Sequence, residues 1–209
     1  GDASGHDGTT GYNGRTAYGI TVDGQTQYLD GGMLTVPHGN SEITLEIRSY
    51  ARGVGDRSPI GDHLGSLYQG IYTFNTDASK QGPQRVLVPV IDLPLSIVNT
   101  ANAGEPMQVK LSGVMDGLGE VDLSSVSLQY GYGQECAMEN ISAFMYCPVY
   151  DKFSPSNWVD AEVKQVDGEW IATIPNDGEA GDYVHLRVEM TGAQGSHTQQ
   201  ITMRNYLLL

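Results

Sequence analysis

Apolar residues recur at every second position through much of the C-terminal part of the chain, and that period commits the backbone to extended strands. Trp170, Ala172 and Ile174 alternate with polar neighbours, and Val184, Leu186, Val188 and Met190 do so after the break Pro175-Asn-Asp-Gly-Glu-Ala-Gly-Asp182. A period of two places every apolar side chain on one face, so each run predicts a strand with one buried side. Asp167-Gly168 precedes Trp170 and predicts a hairpin, because glycine accepts the positive φ of a tight turn. A last strand, His197 to Tyr206, follows the turn at Thr191-Gly-Ala-Gln-Gly195 and is expected to pair back on its predecessor. Several such strands in sequence favour an antiparallel β-sandwich.

The first half carries the same signal. Tyr18, Ile20 and Val22 alternate up to the turn pair Asp23-Gly24, Leu34 and Val36 alternate up to Pro37, and Ile43, Leu45 and Ile47 alternate with Glu42, Thr44, Glu46 and Arg48. Tyr68 to Phe74 forms a further strand after a Gly-, Asp- and Arg-rich loop over 51–66. Residues 86–95 form an apolar run whose Pro89 and Pro94 assign it to a sheet edge or a domain connector. Met107, Val109 and Leu111, and then Val126, Leu128 and Tyr130, continue the strands. No amphipathic helix is expected. The predicted architecture is all-β: a flexible lead-in over 1–15, a first immunoglobulin- or fibronectin type III-like sandwich over 16–95, and a second over 96–209 with an insertion at 131–155.

Twelve Tyr among 209 residues suffice for two small cores, and 27 Gly suit short strands joined by turns. The net charge is −14, with 6 basic and 10 acidic side chains in residues 1–95 and 5 and 15 in residues 96–209. That balance argues against nucleic acid as a partner, since phosphate binding needs a basic face. No run of about 18 apolar residues predicts a transmembrane helix, and no charged-then-apolar leader is present; if the protein is exported, its signal is expected outside this chain.

Short motifs in these strands resemble the C-terminal region of large secreted subtilisin-like serine peptidases of the actinobacterial type. They are Asp167-Gly-Glu-Trp170, Tyr183-Val-His-Leu-Arg-Val-Glu-Met190 and Gln199-Gln-Ile-Thr-Met-Arg-Asn-Tyr206, similar to a family pattern DGxW … VSLRVxAxDxxGNxxxQTxxRAY. Val126-Ser-Leu-Gln-Tyr130, Ser156-Asn-Trp158 and Tyr72-Thr-Phe74 extend the likeness, which runs from Thr16 to Tyr206. Gly192-Ala-Gln-Gly195 lacks the family's Gly-Asn pair, and 131–155 stands where the family has a tight turn. The resemblance implies an extracellular or cell-surface, non-catalytic accessory region that supports folding, substrate contact or tethering. Its implied partners are the parent's catalytic domain or a polypeptide substrate. An adhesin or a module binding cell-surface glycan is the alternative that sandwich domains equally fit.

No catalytic residue is expected. The family's Asp-Thr-Gly, His-Gly-Thr-His and Gly-Thr-Ser-Met-Ala motifs, which would supply a triad and its oxyanion donor, are absent. His38-Gly39-Asn40 lacks the rest of its motif, His6-Asp7 sits in the lead-in, and His63, His185 and His197 are isolated. Asp177, Glu179 and Asp182 supply three carboxylates in one turn and are a weak calcium candidate beside the plainer reading of an acidic loop. Asn140-Ile-Ser142 matches a glycosylation sequon, relevant only in a eukaryote. Cys136 and Cys147 are read as a disulfide pinning the insertion, worth about 2–3 kcal/mol in the loop-entropy view, or else as two thiols. Phe144, Tyr146, Tyr150, Phe153 and Trp158 form a candidate contact surface, with packing of the insertion onto its own sandwich as the other reading.

Overall fold

In the computed structural model, which describes residues 15–27, 36–37, 39–50, 67–77, 79, 85–115, 118–133 and 158–209, the regular elements are all β-strands. In chain order they are β1 (Arg15–Val22), β2 (Gln25–Gln27), β3 (Asn40–Tyr50), β4 (Leu67–Asp77), β5 (Leu87–Asp92), β6 (Thr100–Ala101) and β7 (Met107–Met115). There follow β8 (Gly119–Val121), β9 (Leu123–Gly133), β10 (Val159–Asp160), β11 (Glu162–Val166), β12 (Glu169–Ile174), β13 (Tyr183–Gly192) and β14 (His197–Leu208). Residues 1–14 of the expected lead-in, the 51–66 loop, Leu34, the sequon and residues 134–155 of the expected insertion lie outside the described residues, while Arg15, expected in the lead-in, opens β1. Residues 131–133, expected in that insertion, are the end of β9, paired with Tyr183 to His185 of β13.

The alternation read from the sequence is the burial pattern of β7, β12 and β13, whereas Tyr18, in the expected apolar phase of β1, is 64% exposed. Val184, Leu186, Val188 and Met190 of β13 are buried, as are Ala172 and Ile174 of β12, and Met107, Val109 and Leu111 of β7. Two antiparallel sheets pack these faces together. The larger runs β10-β9-β13-β14-β4-β3-β1-β2, with β6 added in parallel to β14; the smaller runs β11-β12-β7-β5, with β8 beside β7. Leu87, Leu111, Leu128, Val188 and Tyr206 share the main core between them, and Thr198 of β14 ties the sheets together by donating to the Leu87 carbonyl (2.6 Å). A smaller cluster of Val22, Ile43 and Phe74 lies on β1, β3 and β4.

Both expected two-residue hairpins form. Asp23-Gly24 (φ 50° and 75°) joins β1 to β2, and Asp167-Gly168 (φ 52° and 86°) joins β11 to β12. Positive φ at both central residues matches the turn to the right-handed twist of the strands. Pro89 sits in β5, the outermost strand of its sheet, where a missing N–H costs no ladder bond on the open side.

Two pairings cross the boundary expected near residue 95. β5 pairs along β7, and β14 pairs with β4 over His197 to Met203. The two halves therefore share a sheet, and β14 is the strand they share. Its last turn of pairing is different: Leu207 and Leu208 run parallel to Thr100 and Ala101. Between the two stretches β14 bulges, because Val184 faces Tyr206 while Leu186 faces Thr202, and Arg204 takes φ 54°. Among the described residues no helix is long and apolar enough to cross a membrane.

Beyond the bulge, Tyr206 is fully buried and its hydroxyl donates to Asn176 Oδ1 (2.7 Å). Asn176, itself buried at φ 52°, donates Nδ2 to the Glu105 carbonyl (2.9 Å) and accepts the Gly104 N–H (2.6 Å). Asparagine is among the few residues that adopt this backbone conformation without a large steric cost. Tyr206→Phe keeps the ring but strands Oδ1 without a donor in the interior, so urea unfolding is expected to show a loss of about 1–3 kcal/mol. A loss under about 0.5 kcal/mol would mean that Asn176 finds another donor.

Candidate functional site

A strand that buries alternate residues must present the others on its far face, and here five consecutive strands of the large sheet do so side by side. Register partners place Arg48, Gln69, Ile201, Arg187 and Gln129 in one row across β3, β4, β14, β13 and β9. The adjacent row is Glu46, Ile71, Gln199, Glu189 and Ser127, and the next is Thr44, Thr73, His197, Thr191 and Ser125. Cross-strand neighbours at this spacing interact directly.

The side chains assemble into two similar clusters. Glu46 Oε1 accepts from Arg48 Nε (2.5 Å) and Gln69 Nε2 (2.7 Å). Glu189 Oε1 accepts from Arg187 Nη2 (3.1 Å) and Gln199 Nε2 (2.5 Å). In each cluster both donors converge on Oε1, while Oε2 makes no hydrogen bond to a described residue. The four charged side chains are 30–42% exposed, so they are braced by one another yet open to solvent. Arg187 Nε is buried without a hydrogen-bond partner among the described residues. Ile71 and Ile201, half-buried, lie between the clusters, and Gln129 Nε2 donates to Asp160 Oδ1 (2.7 Å) at the β9 side. In the third row Thr44 and Thr73 share a hydroxyl hydrogen bond (3.1 Å), and Thr191 Oγ1 meets His197 Nδ1 (3.2 Å).

His185 has a structural task. Its ring is buried, and Nδ1 accepts the Arg204 N–H (2.8 Å), the backbone donor displaced by the bulge in β14. Burial, reinforced by the Arg204 charge and opposed by Asp182, pushes its pKa down to about 4. The imidazole is therefore neutral in the fold, as an acceptor at Nδ1 requires. Arg204 in turn stacks its guanidinium over the Tyr183 ring (5.2 Å).

The acidic turn is organised by hydrogen bonds to its own backbone. Asp182 Oδ2 accepts the Glu179 N–H (3.1 Å), Asp182 returns its N–H to the Glu179 carbonyl (3.0 Å), and the Asp177 N–H donates to the Tyr132 hydroxyl (3.1 Å). Asp177 and Glu179 are exposed, and among the described residues no group of three or more His, Cys, Asp or Glu side chains is placed to hold a metal ion. Of the aromatic contact surface only Trp158 is described, half-buried at the entry to β10; Phe144, Tyr146, Tyr150, Phe153, Cys136, Cys147, His6, His38 and His63 lie outside the described residues.

The polar clusters were missed by motif reasoning because their members come from four strands scattered over 150 residues of chain, in roughly the span Glu46 to Gln199. The one usable signal is that Glu46, Arg48, Arg187 and Glu189 occupy the non-apolar phase of strongly alternating runs. No protein-family model matches the chain, and no curated protein is significantly similar to it.

The depressed His185 pKa ties stability to pH. The unfolded imidazole takes a proton near 6.5 and the folded one only near 4, so the contribution is complete above about pH 6.5 and is lost as pH falls towards 4. The loss is capped at about 3 kcal/mol. His185→Asn can offer an amide oxygen near the Nδ1 position but cannot be protonated there. Urea unfolding between pH 7.5 and 4.5 is expected to fall more steeply for the native chain than for this variant; equal slopes would place the titration elsewhere.

Proposed function

We propose that the chain is a non-catalytic contact module: the C-terminal accessory region of a secreted or cell-surface subtilisin-like serine peptidase. The supporting observation is the open polar face, where residues from five strands of one sheet form a broad, mutually braced surface. His185 agrees with this, since it spends its Nδ1 lone pair on a backbone N–H. The peptidase parent is supported by the sequence motifs between Thr16 and Tyr206.

In this reading the sandwich holds the parent's catalytic domain or its polypeptide substrate outside the cell. A second reading, an adhesin or carbohydrate-binding module, has the planar amide, carboxylate and guanidinium groups of the face in its favour, since fold alone selects neither.

The purified chain is expected neither to cleave casein nor to react with a serine-directed fluorophosphonate. Stoichiometric labelling of one serine would overturn the non-catalytic assignment. The complete open reading frame tests the parent: a subtilisin-type catalytic domain in the same polypeptide supports the peptidase, and repeated sandwiches with an anchor support the adhesin.

A further inference from the structure

We infer that the outer edge of β11 is a docking strand for an extended segment of another polypeptide, which adds antiparallel to Glu162–Val166 with an apolar residue opposite Val163 and an acidic one opposite Lys164. The inference rests on the polypeptide partner of the accessory-region reading and says how that partner is held.

β11 is the outermost strand of the small sheet, and its pairing with β12 fixes which of its main-chain groups are free. The two-residue turn Asp167-Gly168 makes Val166 and Glu169 a hydrogen-bonded pair. Alternation then directs Lys164 and Glu162 towards β12 and leaves the N–H and C=O of Val163 and Gln165 pointing away from it. Those four groups make no hydrogen bond to a described residue. Two other described edges are closed. On β5, Pro89 has no N–H and the Leu87 carbonyl is taken by Thr198 (2.6 Å), while β9 carries β10 and is broken by a register shift between Leu123 and Ser125. β11 has neither a proline nor a bulge, two of the devices that blunt a sheet edge against another chain.

Its lysine is a third such device, and it acts against one partner in particular. Antiparallel pairing with a second copy through all four groups would join Val163 to Gln165 of the second copy and so set Lys164 directly against its own counterpart. Like charges at that spacing are unfavourable, and two chains of net charge −14 repel at longer range. A carboxylate opposite Lys164 and a cation opposite Glu162 make both contacts favourable. Packing supplies the apolar part of the pattern. Val109, Ala172 and Val163 form one row across β7, β12 and β11. The first two are fully buried and Val163 only half-buried, so the row ends open at the edge, and an apolar residue in the added strand extends it. Val166, on the opposite face and 51% exposed, takes a second one.

Chemical-shift and hydrogen-exchange measurements on the full, isotopically labelled chain test this with the blocked peptide Thr-Val-Thr-Glu-Val-Lys-Thr, whose glutamate faces Lys164 and whose second valine faces Val163. At millimolar peptide the amide signals of Val163 and Gln165 are expected to shift and their exchange to slow about tenfold. Methylating the two peptide nitrogens that face β11, those of the third and fifth residues, is expected to abolish both effects. Exchanging the peptide's glutamate and lysine sets a lysine against Lys164 and is expected to weaken binding about fivefold. Val163→Pro removes an outward N–H and no bond to β12, so it is expected to lose binding while melting curves confirm its fold. Should that variant not fold, the methylated peptide makes the same test on the native chain. Silent amides, undiminished binding by the methylated peptide, indifference to the charge exchange, or self-association that protects the same two amides would each overturn the inference. A blank titration removes this docking strand only, and the peptidase parent is decided separately by the open reading frame.

Discussion

The hydrogen bond from the Arg204 N–H to His185 Nδ1 is where the architecture turns. β14 must serve three neighbours: β13 along one edge, and on the other edge β4 first and then β6. A regular strand cannot change partners without leaving backbone groups unpaired, and a buried unpaired N–H carries a penalty comparable to a lost hydrogen bond. The bulge at Arg204 makes the change of direction, and the imidazole opposite takes up the donor that the bulge releases. With that donor satisfied, the first part of β14 extends the sheet into the N-terminal strands, and the end of β14 carries Tyr206 into the core against Asn176.

The continuity of the sheet has a consequence for its outer surface. Were the halves separate sandwiches, Glu46 and Glu189 would belong to unrelated faces. Because β4 and β14 are neighbours, the polar phases of β3, β4, β14, β13 and β9 line up in shared rows. The same alternation that drives Val188 and Leu128 into the core sends Glu189 and Ser127 outward, so core and surface are two consequences of one strand phase. The polar groups on that surface are satisfied largely by each other. Exposed ion pairs of this sort add little to stability.

Some elements left almost no trace in the sequence, and each for a definable reason. β11 lies at the outer edge of the small sheet, and of its residues only Val163 is even half-buried, so it lacks the alternation that betrays a two-layer strand. β6 and β10 have two residues apiece and exist only as pairings with β14 and β9. The apolar run containing Pro89 was open between an edge strand and a domain connector; its place beside β7 makes it an edge, with Leu87 in the main core.

By itself the sequence determined the strand character of the chain, the buried phase of β3, β7, β12 and β13, and the two Asp-Gly hairpins, because period and turn chemistry are local and need no partner to be read. It also determined that His185 and His197 stand without a motif around them. Only the tertiary structure decided that β14 would add to β4, that His185 would serve a backbone N–H, and that Glu46 and Glu189 would face the same side of one sheet. Those outcomes depend on which strands become neighbours, and pairing between residues more than a hundred positions apart is selected by the packing of the whole core, which no stretch of the chain encodes alone.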